Sequence, residues 1–312
     1  MIFAIGEILI DFIAQQEDPL KNVRSFEKHA GGAPANVVVG LSRLGVPTAL
    51  ISKVGADPFG DFLLEMLKKE RVVTKYIRRD LEKHTGVVFV QLIGAKPEFI
   101  LYDGVAYFNI KEEDLIAVDT DRISLIHFGS VLFAREPSRS TVFNFLKTTR
   151  VPLSYDVNIR LDLWREREDE MLKDIEKGLK LAHIIKIGEE EMHYLTKHGI
   201  EVRDYDFKLL AITRGSKGST LIHKDIEVHI PPYKVQPVDT TGAGDAYMAA
   251  LLASLWHLKK LRNLELSEDE LTKIGKFANL VAALSTLKRG AWSVPRIADI
   301  SSMEEIKEIY RG

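Results

Sequence analysis

Short apolar runs alternate with longer amphipathic stretches along most of the chain. Strand-like runs lie at residues 124–129, 153–158, 183–187 and 209–213, and helical stretches such as Glu168 to Leu181 separate them. This alternation predicts a parallel sheet covered by helices on both faces. Another apolar run, at 48–55, leads to Asp57-Pro58-Phe59-Gly60 and an amphipathic helix ending near Arg71. Residues 85–93 and 98–102 break the pattern. Two β-rich runs follow one another there with only Gly94-Ala95-Lys96-Pro97 between them, which reads as a hairpin. They predict a separate small sheet, joined by residues 9–30. A last long helix begins at Ser267-Glu268-Asp269-Glu270, a capping-box pattern. It carries Leu271, Ile274, Phe277, Ala278, Val281 and Leu284 on one stripe.

The richest stretch is Val238-Asp239-Thr240-Thr241-Gly242-Ala243-Gly244-Asp245, followed by the apolar run Ala246 to Trp256. A helix that opens on Gly-Ala-Gly offers unpaired backbone N–H groups, with the helix dipole behind them, and so forms an anion site. Asp245 is the unexpected member, because a carboxylate repels a phosphate unless it has separate work. Accepting the proton of a substrate hydroxyl while the amides hold a phosphoryl group is such work. At a helix N-terminus Asp245 is expected to have a low pKa and to be a weak base.

Polar residues also gather at the ends of the strand-like runs: Asp156 to Arg160, Lys186 to Glu191, and Thr213 to Gly218. Ligands of open α/β sheets bind beyond the carboxyl ends of the strands. Together with 239–245, these clusters outline one crevice. Earlier in the chain, Asp11 interrupts an apolar strand. It either caps a turn or faces solvent at a strand edge, or it grips hydroxyls of a polar ligand. Gly31-Gly32-Ala33-Pro34-Ala35-Asn36 precedes a helix that Gly45 ends. Its glycines allow close approach to a ligand, towards which Asn36 would point, or they make an ordinary loop before a buried helix. Asn279 is a lone amide in the last long helix, where a solvated position is the simple reading.

Length and composition narrow the classes. A chain of 312 residues, 46% hydrophobic and 28% charged, can bury a large core. A net charge of −2 gives no reason to expect nucleic acid or an anionic membrane as partner. No cysteine is present, which removes disulfides and thiolate metal sites. The N-terminus lacks the basic region and cleavage site of a signal peptide, and the run after Asp245 is too short to span a bilayer. A cytoplasmic location is expected. No P-loop occurs, since Gly215-Ser216-Lys217-Gly218 is too short, and Gly242 and Gly244 lack the third glycine of a dinucleotide fingerprint, with Tyr247 in its place.

Gly31–Gly45, Asp239–Asp245 and the order of segments between them resemble the ribokinase-like (PfkB) carbohydrate kinases, over essentially the whole chain. The resemblance implies a single domain over 1–312: an αβα sandwich with a β lid formed by about 9–30 and 85–105. It implies that Asp245 is the general base and that Gly242, Ala243 and Gly244 form the anion hole. Asp11, Gly32 and Asn36 would hold sugar hydroxyls, with Tyr102 beside them in the lid. Thr213, Gly215 and Gly218 would line the ATP site with Asn158 and Lys186, and Asn279 would lie near the adenine. Asp156 to Trp164 is similar to an Asp-x-Asn-x-Arg-x-x-Leu-Trp stretch of fructokinases and 2-keto-3-deoxygluconate kinases, which would set Arg160 near phosphate or substrate. Magnesium is expected with ATP, with Glu191 organising it through water although Gly188 replaces the family's usual Asn. A monovalent cation, potassium, would sit by Asp239, Thr241 and the 285–293 loop.

The substrate is expected to be a neutral sugar such as fructose. Keto-deoxygluconate kinases tend to carry Tyr-Arg in the lid, whereas this chain has Tyr102-Asp103, and Asp103 would repel a carboxylate. The acid sugar is the runner-up because Arg160 remains available, and ribose or a nucleoside comes third. A sugar-binding regulator that has lost catalysis is a different class of reading, opposed by the intact Gly-Ala-Gly-Asp. An exposed lid sheet invites pairing through its edge or face, which would give a homodimer.

Overall fold

The computed structural model describes residues 1–93 and 96–310. The strands are β1 (Ile2–Ile5), β2 (Leu9–Ala14), β3 (Phe26–Gly31), β4 (Thr48–Gly55), β5 (Ile77–Asp80), β6 (Val87–Ile93), β7 (Lys96–Leu101), β8 (Leu125–Gly129), β9 (Leu153–Asp156), β10 (Ile184–Gly188), β11 (Leu209–Thr213), β12 (Ser219–His223) and β13 (Ile226–Ile230). Nine of them form one sheet in the order β13-β12-β11-β10-β9-β8-β1-β4-β5. It is parallel from β11 to β5. The β12–β13 hairpin adds two antiparallel strands at one edge. Its polar–apolar alternation is one-sided, with Ile226, Val228 and Ile230 set against Glu227 and His229, and the strand–helix pattern of the sequence did not reveal it.

Burial on both faces explains why the parallel strands read as continuous apolar runs. In β1, Phe3 and Ile5 face a core that contains Phe128, Phe133, Tyr155 and Met171. Ile2 and Ala4 face the opposite side, where the cores are built on the Ala33–Arg43, Ala243–His257 and Glu268–Ser285 helices. The Ala243–His257 helix is buried continuously from Asp245 to Leu255, as suits a helix that is apolar all round. It packs against the Ala33–Arg43 and Glu268–Ser285 helices. At Gly40 the first of these contacts is so close that an added Cβ would lie 2.7 Å from the Ala249 methyl group. Only glycine allows that approach.

The second sheet has four strands in the order β3-β2-β6-β7. β2 pairs antiparallel with β3 and parallel with β6, and β6 pairs antiparallel with β7. Segments 9–30 and 85–105 therefore do come together as the sequence predicts; the turn expected at Gly94-Ala95 lies outside the described residues. Phe12, Phe26 and Phe89 make an aromatic cluster on one face of this sheet, against Phe59. Asp11 points from the opposite face, since neighbouring strand residues alternate. Among the described residues, no helix is long and apolar enough to cross a membrane.

Candidate active site

Gly129 pairs with Asp156, and Gly188 with Thr213, so the carboxyl ends of β8 to β11 lie side by side. Asp156, Lys186 and, from the loop after β9, Arg160 act on Asp245 in the first turn of the Ala243–His257 helix. Three of the polar clusters of the sequence, at 156–160, 186–191 and 239–245, thus meet, and the fourth lies at the end of the adjacent strand β11. Lys186, at 6% exposure, is ion-paired with Asp156, at 2%. Its Nζ lies 3.2 Å from the point where a side chain on Gly244 would begin. Burial disfavours the ammonium, but the Asp156 and Glu191 carboxylates outweigh it and raise the Lys186 pKa.

Gly242 caps the helix with φ of 76°. Ala243 N–H bonds back to the Thr240 carbonyl at 3.2 Å. The N–H groups of Gly242, Gly244 and Asp245 have no partner among the described residues. The donors open to an anion are therefore those three amides, and not that of Ala243, which the sequence reading had included.

Asp245 is 9% exposed and accepts a 2.7 Å hydrogen bond from Asn36 Nδ2. The sequence-based expectation of a low pKa does not hold. Burial, then the neighbouring Asp156 carboxylate, push Asp245 up to about 6, against the opposing effects of Asn36, Lys186 and Arg160. Loss of hydration in a closed site exceeds what a helix terminus supplies. Asp245 is consequently a stronger base than an ordinary aspartate, and still ionised at neutral pH.

Two more carboxylates feel Asp245. Asp11, half-buried in β2, is raised to about 7 by burial and by Asp245, and its side chain has no hydrogen-bond partner among the described residues. Gly31 is what gives it room, because a Cβ there would fall 1.9 Å from Asp11 Oδ2. The capping or solvent-facing role considered for Asp11 is thus replaced by an unpartnered carboxylate in the cleft. Glu7, 3% exposed, was not singled out in the sequence. It accepts from Ala33 N–H at 3.0 Å, and burial raises it to about 7. A signal was present, since an acid between Gly6 and Ile8 in an apolar segment poses the same question as Asp11. Gly32 caps the Ala33–Arg43 helix directly above the Glu7 carbonyl. Arg160 is exposed, and its positive charge acts on Glu7, Asp11 and Asp245 alike.

Other expected residues have clear places. Tyr102 is 49% exposed and sets its ring edge-on to Phe89. Asp103 is ion-paired with Arg135 at 2.8 Å, so its charge is largely offset rather than free to repel a carboxylate. Thr213 ends β11, and Gly215 and Gly218 form the turn into β12. Asn158 follows β9 with φ of 39°. Asn279 is not solvated. It accepts from Ser219 Oγ at 3.0 Å and donates to the Ile230 and Pro231 carbonyls, so it fastens the helix to the edge hairpin.

Glu191 accepts from Ile159 N–H at 2.6 Å and Gly188 N–H at 2.8 Å, one amide per oxygen. It joins the loop after β9 to the helix start after β10, and each oxygen keeps a lone pair that can hold a water molecule. Asp239 accepts from Thr241 N–H at 2.9 Å and Gly290 N–H at 2.8 Å. Among the described residues, no group of three or more acidic, histidine or cysteine side chains is placed to hold a metal ion.

A sheet with ligand loops at its carboxyl ends, and an acid beside free amides at a helix start, define a phosphotransferase-like site. The sequence matches the pfkB family carbohydrate kinase profile over residues 1–297, and the chain belongs to that family. It is 53% identical to an uncharacterized sugar kinase from Pyrococcus horikoshii solved in complex with ATP; the match covers 99% of this chain and 100% of the other, with a TM-score of 0.92. It is 34% identical to fructokinase-1 of Zea mays over 98% of both chains. It is 28% identical to the fructokinase of Vibrio cholerae O395 solved with fructose, ADP and calcium, with 96% and 97% coverage and a TM-score of 0.84. The protein is a ribokinase-fold sugar kinase.

Proposed function

We propose that this kinase transfers the γ-phosphoryl group of ATP to a hydroxyl of fructose. One observation carries the reaction: Asp245, raised to about 6, stands in the same helical turn as the free Gly242 and Gly244 amides. The acceptor oxygen attacks phosphorus, the bond from phosphorus to the bridging oxygen breaks, and ADP leaves. The hydroxyl proton passes to Asp245 as the new bond forms. The amides and Lys186 stabilise charge on the transferred group, with Arg160 at the rim. Asp11, Gly32 and Asn36 line the sugar side, under the small sheet acting as lid; Tyr102, expected beside them, packs instead on Phe89 of the aromatic face. Thr213 to Gly218 and Asn158 line the nucleotide side.

Magnesium would neutralise phosphate charge when bound with the nucleotide. Glu191 suits contact through water, because its oxygens already serve two amides. Asp239, Thr241 and the loop to Ser293 are the proposed surroundings of a potassium ion. A homodimer through the aromatic face of the lid is part of the same reading.

The similarity to fructokinases of plants and bacteria supports fructose. Keto-deoxygluconate is the second reading, favoured by the Asp103–Arg135 pair, which removes much of the expected repulsion. ADP release, coupled to an indicator and measured over fructose, keto-deoxygluconate, ribose and adenosine, tests both. Turnover with fructose well above the others is expected; a preference for the acid sugar would overturn the fructose assignment, and no turnover with any acceptor would overturn the kinase.

A further inference from the structure

Asn36 is held at both ends of its amide. Trp292 Nε1 lies 2.8 Å from Asn36 Oδ1, and Asn36 Nδ2 lies 2.7 Å from Asp245 Oδ2. An indole nitrogen can only donate. The amide atom facing Trp292 must therefore be the oxygen, which leaves the NH₂ group for Asp245. If the amide turned over, two hydrogens would meet at the indole and two acceptors at the carboxylate. We propose that Trp292 is a positioning residue for phosphoryl transfer, fixing the Asn36 amide so that its nitrogen faces the base. The proposal rests on the reading of Asp245 as that base.

The segment carrying Trp292 is built to hold it still. Arg43 donates to the carbonyls of Trp292 at 2.6 Å and Val294 at 3.0 Å. Arg43 is itself ion-paired at 2.7 Å with Glu70, whose other oxygen takes Arg296 at 2.9 Å. The same segment reaches the anion-binding turn, where a Cβ on Gly242 would lie 2.9 Å from Ala291 Cα. It reaches Asp239 through Gly290 N–H. One short stretch thus braces both the base, through Asn36, and the amides beside it.

The charges facing Asp245 are those of Asp156 in β9, Lys186 in β10 and Arg160 in the loop after β9, with Glu7 and Asp11 from the N-terminal segment. Asn36 is the neutral donor among them, and its hydrogen bond favours the ionised carboxylate. Trp292→Phe keeps an aromatic ring and deletes the N–H. Loss of the fixed amide should then raise the Asp245 pKa.

The test follows the Asp245 carboxyl by ¹³C NMR titration, alongside steady-state kinetics, in Trp292→Phe, Asn36→Ala and the double variant. Trp292→Phe is expected to move the Asp245 titration to higher pH and to lower kcat by about tenfold, with sugar KM changing much less. Both effects should vanish when the substitution is made in Asn36→Ala, because the relay is already cut. An unmoved titration in folded Trp292→Phe would overturn the proposal, and so would a shift of equal size in the Asn36→Ala background, which would mark a packing effect. If the wild type phosphorylated no sugar, the kinase reading would fail, and the NMR titration would still decide the coupling.

Discussion

Lys186 Nζ lies 2.9 Å from each carboxylate oxygen of Asp156. The pair joins two adjacent strands and sits below the turn that carries Gly244 and Asp245. Neither charge is at the surface, so each depends on the other for solvation. Removing one partner should be far worse than removing both. Lys186→Met is expected to cost about 3–5 kcal/mol of stability, and Lys186→Met with Asp156→Leu to recover much of it. Denaturant midpoints of the two variants and the wild type test this. Near-equal midpoints for the single and double variants would show that the pair does not carry the cost.

Asp245 should control both the size and the pH dependence of turnover. As base it works only when ionised. Activity is therefore expected to fall as pH drops through about 6, the value set by burial and Asp156. Asp245→Asn should reduce kcat roughly 10²–10⁴-fold. Initial rates from mildly acidic to neutral pH measure the first effect, and single-turnover rates the second. Near-normal turnover in Asp245→Asn would remove the mechanism.

Glu7 should make the fold less stable as pH rises. Its carboxyl has a folded-state pKa of about 7 against an ordinary 4.5, because burial opposes the charge. Below 4.5 both states are protonated and its contribution to stability is intact. Between the two values the unfolded chain ionises first, so that contribution is progressively lost, and above about 7 the loss is complete. Glu7→Gln keeps an oxygen for Ala33 N–H without the charge. Relative to wild type it should gain on the order of 3 kcal/mol between acid and mildly alkaline pH. Urea unfolding at both ends of the range checks this, and a gap independent of pH would contradict it.

Asp103 should influence which sugars are accepted. It holds Arg135, and both act on Tyr107 together with Glu7 and Asp11. Asp103→Asn would release the guanidinium for a substrate carboxylate. The KM ratio of keto-deoxygluconate to fructose is expected to fall about tenfold, the value of one charged hydrogen bond. An unchanged ratio would place Arg135 out of reach of the sugar.

Periodicity alone was enough to reveal the alternating strands and helices, the small second sheet and the boundaries of the Glu168–Leu181 helix. These features are local, because hydrophobic spacing and caps act within one element. The Ser267 capping box formed as its spacing requires, with Ser267 accepting from Glu270 N–H. The β12–β13 hairpin was less legible, since its strands are short and one is polar on alternate positions.

The acid beside two glycines was also visible in the chain, and with it the type of reaction. The sequence determined which groups are available: Asp245, Asn36, Asp11, Lys186 and the amides of Gly242 and Gly244. Tertiary structure decided their properties. Asn36 and Asp245 are 209 residues apart in the chain, and they meet because Gly40 lets one helix close on the other at Ala249, one turn further along each. That closure buries Asp245 beside Asp156, turning the weak base expected of a helix terminus into a stronger one. Trp292, 256 residues from Asn36, and Asp103, paired with Arg135, owe their places to the same long-range packing. A pKa and an amide's orientation depend on what surrounds a group in space, and only the folded chain supplies those surroundings.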